Sequence, residues 1–191
     1  MTALPQLFSA RFSLICEPRC ETRDLPRDET RGATRRIIPL LLEAAARLAL
    51  SSEVRVLDGG NCFNVYTVAQ TLRLYTHEVE AALSRIQVAR AFTCYQTATL
   101  LQTTPASAIP TLVLDLLATF EDQSVPQVER QRLLAGNIAE LRRLSRQGPV
   151  LVSVHPKPTA PDTEWLQMLE AAADRVWRLE TAPPAAAIRL F

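Results

Sequence analysis

The chain has 191 residues, 48% of them hydrophobic, and its 21 basic and 20 acidic side chains leave a formal net charge of +1. That length suits one domain, 1–191, with a core able to cover a sheet on both faces, and the apolar content excludes a disordered chain. A charge so near zero excludes a whole-molecule field for nucleic acid or membrane, so such binding would need a local patch. Residues 1–11 read as an N-terminal tail to which Leu4, Leu7 and Phe8 give apolar character, with no signal-peptide pattern. A strand follows, ending at Cys16. It runs into residues 17–36, dense in both charge signs and holding Pro18, Pro26 and Gly32, the composition of a solvated loop. Ile37, Ile38, Leu41, Leu42, Ala45, Leu48 and Ala49 then recur at helical spacing, with Thr34 as cap and Pro39 in the first turn, where proline is tolerated.

Residues 54–58 form an apolar strand ending in Asp58. A helix over 64–74, a shorter one over 78–86 capped by Thr76, and a strand over 86–92 come next. A helix over 95–101 and a connector bracketed by Pro105 and Pro110 lead to a second acid-ended strand, closing on Asp115. Ser124 is the expected cap of a long helix over 126–146, which Gly148 terminates. A strand over 150–154, a proline-rich loop over 155–161, a helix over 162–173 and a hairpin pairing 175–179 with 187–191 complete the chain. Short apolar strands alternating with helices imply an α/β fold: a mostly parallel sheet, helices on both faces, and a C-terminal β-hairpin. Ligands of such folds sit beyond the carboxyl ends of the strands, where Asp58 and Asp115 point.

No apolar stretch reaches the roughly 18 residues of a membrane span. The four cysteines, Cys16, Cys20, Cys62 and Cys94, are expected to be reduced thiols of a cytoplasmic protein. No second Cys/His pair accompanies Cys16 and Cys20 at ligand spacing, and His77 and His155 stand alone, so neither a metal nor a cofactor is expected.

The order of motifs resembles the core of the RecA/RadA-type recombinases. In that family a strand ends in an acidic, glycine-containing turn followed by phenylalanine, as in Asp58-Gly59-Gly60-Asn61-Cys62-Phe63. The next strand reads close to Val-Ala-Arg-Ala-Phe, which Val88, Ala89, Arg90, Ala91 and Phe92 match, and Asp115 stands where the family has its Walker B aspartate. The similarity spans residues 12–190. The departures fall on the chemistry. A phosphate loop, Gly-x-x-x-x-Gly-Lys-Ser/Thr, wraps phosphates in backbone N–H groups, but residues 17–36 offer Gly32 alone and no lysine. The family's catalytic glutamate aligns with Gly60, and its polar switch glutamine with His155-Pro156. The resemblance therefore implies a RecA-like fold without ATPase activity, not an enzyme, acting as an accessory or partner subunit in DNA recombination or repair. The alternatives are an ATPase with an arginine-based phosphate site, and an assembly subunit unconnected with DNA.

Several residues admit two readings. Asp58 and Asp115 are remnants of a metal site or acceptors for backbone N–H groups at strand ends. Arg90, inside an apolar strand, must pair with a carboxylate or reach an edge. Arg130, Arg132, Arg142, Arg143 and Arg146 on the long helix, with Lys157 in the following loop, form either a phosphate-tracking stripe or a solvated face interleaved with Glu129 and Glu140. Leu4, Leu7 and Phe8 either dock into a partner, whether a recombinase, a paralogue or a second copy, or pack on their own domain. The near-zero charge favours a protein partner over DNA.

Overall fold

A computed structural model describes residues 8, 10–17, 37–156 and 160–179. In chain order these form β1 (Phe12–Cys16), α1 (Ile37–Ala49), β2 (Val54–Asp58), α2 (Val65–Arg73), α3 (Val79–Leu83), β3 (Ile86–Arg90) and α4 (Cys94–Thr103). Then come β4 (Thr111–Leu114), a 3-10 turn (Leu116–Phe120), α5 (Gln127–Ser145), β5 (Val150–Val154), α6 (Ala160–Ala172) and β6 (Arg175–Arg178). The six strands make one sheet in the order β3-β2-β4-β5-β1-β6, and every pairing is parallel. No helix among the described residues is long and apolar enough to cross a membrane.

Period-two alternation along the strands splits the core in two. Phe12, Leu14, Val113, Val150 and Val152 face one side, where Leu134 and Leu141 of α5 and Trp165 and Leu169 of α6 cover them. Ile15, Val56, Leu112, Leu114 and Leu151 face the other, under Leu41 and Ala45 of α1 and Val68 and Leu72 of α2. Apolar runs buried on both faces are what an all-parallel sheet requires. The expected α/β architecture with helices on both faces is therefore present.

Some local expectations change. The strand over residues 175–178 adds parallel to β1, and 187–191, its expected hairpin partner, lie outside the described residues. Ser124 does not cap α5: its backbone N–H donates to Asp122 Oδ1, and Pro126 takes the N-cap position. Thr93 caps α4 by accepting from the Gln96 N–H, while Gln96 Oε1 accepts from the N–H of Phe92, the residue before the cap. Glu17, read as the start of a solvated loop, is only 3% exposed.

The carboxyl ends of four adjacent strands now line up. In sheet order they present Asp58 at the end of β2, Asp115 after β4, His155 after β5 and Glu17 after β1, all at most 3% exposed.

Candidate functional site

Asp58 is a structural acceptor. Its carboxylate takes the backbone N–H groups of Cys62 at 2.8 Å and Phe63 at 2.9 Å, which folds the 59–63 turn back over the strand end. Arg90 on the neighbouring edge strand completes the arrangement, with Nε 3.2 Å from Asp58 Oδ2 and Nη2 donating to the Phe63 carbonyl at 2.9 Å. The guanidinium thus pairs with a carboxylate and reaches an edge together.

Asp115 behaves differently. It leaves the strand in the left-handed region, φ 48°, at the start of the 3-10 turn, with its N–H on Ser153 Oγ at 2.9 Å. Its carboxylate meets an imidazole rather than a strand-end N–H: His155 Nδ1 lies 3.2 Å from Oδ1. The other ring nitrogen of His155, Nε2, lies 3.3 Å from Glu17 Oε2. An imidazole facing carboxylates through both nitrogens can donate to both only when both carry protons. These are ion-pair distances, and neither ring N–H is aligned as a hydrogen bond.

Glu17 Oε2 also accepts the backbone N–H of Ile37, the first described residue of α1, at 3.0 Å. The Glu17–His155–Asp115 row therefore ties the start of α1 to the end of β4 across three neighbouring strands.

Gly60 closes the site from the side. A Cβ at this position would stand 2.6 Å from both Asp115 Cβ and Cys62 Sγ, and 2.9 Å from Asp115 Oδ2. The turn backbone is thus pressed onto Asp115, and no side chain can project from position 60 toward it. Because the imidazole stands between the two carboxylates, the three groups do not converge on one point. No group of three such side chains among the described residues is placed to hold a metal ion. Nearby, burial pushes the Cys16 thiol up to about 11, aided by Glu170.

The arginines of α5 have structural partners. Arg130 donates to the Phe120 carbonyl at 2.7 Å and covers the Trp165 ring at 5.2 Å. Arg142 reaches the Ala171 and Ala172 carbonyls at the end of α6, and Arg143 those of Leu101 and Thr104 at the end of α4. Arg132 forms a two-pronged pair with Glu129 on the exposed face. Arg130, Arg142 and Arg143 thus meet carbonyls at helix ends, while Arg132 stays on the exposed face. Phe8 packs half-buried on the α1 side of its own core, while Leu4, Leu7 and Lys157 lie outside the described residues.

Composition alone reads Glu17 as part of the charged loop and gives His155, at the family's switch position, no partner. The available signal was that each directly follows a buried strand. No protein-family model matches this chain, and no curated protein matches it in sequence.

Proposed function

We propose that this chain is a non-catalytic, RecA-like paralogue serving as an accessory or partner subunit in DNA recombination or repair in the cytoplasm. The observation that carries the non-catalytic part is the enclosure of Asp115. The residue is fully buried, faces His155 and is backed by Gly60. The aspartate at the metal-binding position of the resembled family is engaged inside the protein, and the position of the catalytic glutamate has no room for a side chain. Gly60 itself offers no carboxylate for the water activation that phosphoryl transfer needs. The role in recombination rests on the resemblance of the 58–63 turn, the 88–92 strand and Asp115.

A protein partner, another recombinase subunit or a second copy, is supported by the open sheet edge. Among the described residues β3 pairs with β2 alone, and Val88, Phe92 and Tyr66 at this edge are 41%, 67% and 78% exposed. An unpaired edge with exposed apolar side chains is a surface that proteins use for association.

ATP turnover, with and without single-stranded DNA, tests the first part. The expected result is none, and magnesium-dependent turnover abolished by Asp115→Asn would overturn the reading. Fluorescence anisotropy with single-stranded DNA at low and moderate salt tests the second. Tight, salt-sensitive binding that Arg132→Ala with Arg146→Ala destroys would replace the protein partner with DNA.

A further inference from the structure

We propose that the free edge of β3 pairs antiparallel with β3 of a second copy of this chain, around a two-fold axis at Val88. The pairing rests on the protein-partner reading above and commits it to one occupant. The ladder with β2 fixes which backbone groups are free. The Arg85 carbonyl accepts the Val54 N–H at 3.0 Å, and the Ala91 N–H donates to the Asp58 carbonyl at 3.1 Å, with Ile86, Val88 and Arg90 in register with Val54, Val56 and Asp58. Backbone groups alternate in direction along a strand, so Gln87 and Ala89 turn toward β2 while the N–H and C=O of Ile86, Val88 and Arg90 face outward. The connections on both sides of β3 lie within the described residues 37–156, and no described strand pairs with this edge.

Sheet edges are ordinarily blunted by lysine, proline or an outward charge. The β3 sequence holds no lysine, proline or acid. Its one charge is turned inward, Arg90 lying against Asp58 Oδ2 and the Phe63 carbonyl. Arg85, just before the strand, is likewise spent on the Ala49 and Leu50 carbonyls. The edge is also complementary to itself. With Val88 opposite Val88, Ile86 of each copy stands opposite Arg90 of the other, and every outward N–H and C=O finds a partner. These three residues share one face of the sheet, so the exposed Val88 side chains meet and each Arg90 stem lies beside an isoleucine. No two like charges oppose each other. A two-fold contact uses both edges at once, so assembly stops at a dimer.

Sedimentation velocity of the full chain over a concentration series tests the pairing, with circular dichroism to establish folding. The parent should be a dimer. Val88→Lys and Val88→Glu, each placing like charges directly opposite, should sediment as monomers, and an equimolar mixture of the two should return to the dimer. Val88→Pro serves if the charged variants do not fold: the N–H it removes faces away from β2, where an edge strand tolerates proline, and it too should give monomers. A monomeric parent overturns the pairing while leaving a recombinase subunit as the occupant of the edge. A dimer that the folded variants keep, or a mixture that stays monomeric, overturns it as well. So does growth beyond the dimer, which marks head-to-tail contact.

Discussion

Replacing Gly60 with alanine is the sharpest test of the site's packing. The new methyl would lie 2.6 Å from Asp115 Cβ and from Cys62 Sγ. Non-bonded carbon atoms rest at about 3.5–4.0 Å, so roughly 1 Å must be found on two sides at once. Neither neighbour can give easily. Asp115 Cβ is set by a backbone at φ 48° whose N–H and carbonyl are bonded to Ser153 Oγ and the Ala118 N–H. Cys62 is anchored by its own N–H on Asp58 Oδ1 at 2.8 Å. Overpacking of this kind costs about 1–3 kcal/mol, and the added shift of Asp115 away from His155 places Gly60→Ala near the top of that range. At roughly 2–4 °C per kcal/mol for a chain of this size, Tm should fall by about 5–10 °C. Gly59→Ala is the internal control. Its Cβ would meet the Asp115 and Leu114 carbonyl oxygens at 3.2 and 3.3 Å, a contact that small backbone adjustments relieve. Urea unfolding followed by circular dichroism should rank parent, Gly59→Ala, Gly60→Ala in falling order. Equal stability of Gly60→Ala and the parent, or a reversed order of the two variants, would refute the reasoning.

The α5 arginines give a contrast within one helix. Arg143→Ala should lower unfolding stability by about 1–2 kcal/mol, because it strips charged donors from two carbonyls at the end of α4 while part of the side chain stays solvated. Arg132→Ala, which removes only an exposed pair with Glu129, should leave the urea midpoint unchanged. Gly136 lies mid-helix in α5 with nothing near its Cβ position, so Gly136→Ala should stabilise by about 0.5–1 kcal/mol in the same assay. Burial raises the Cys16 thiol from 9.0 to about 11, so its neutral form is favoured in the folded state. That contribution to stability is complete below pH 9 and lost as pH climbs toward 11, a loss that Cys16→Ala should remove from the pH profile of urea unfolding. Burial likewise raises Cys94, so iodoacetamide mapping should find half-buried Cys62 modified ahead of Cys16 and Cys94.

The sequence by itself determined the order of strands and helices, the sheet's parallel character and the two faces of the core. These depend on local quantities: runs of buried apolar residues, helical spacing in α1, and turn residues between them. It also offered backbone N–H groups as one of two readings of Asp58, and a carboxylate or a sheet edge for Arg90, because both follow from the cost of burying unpaired polar groups. The tertiary structure alone decided which chain segments become neighbours. The strand order sets β5 between β4 and β1, so Asp115, His155 and Glu17, remote in sequence, stand side by side at the carboxyl ends. It also gave Arg130, Arg142 and Arg143 of α5 their partners, since the carbonyls they meet belong to the 3-10 turn, α6 and α4. Burial of Glu17 follows for the same reason. A charged residue beside a charged loop reads as solvated until the sheet places a helix terminus and an imidazole against it, and those partners come from pairings across the sheet that no local pattern encodes.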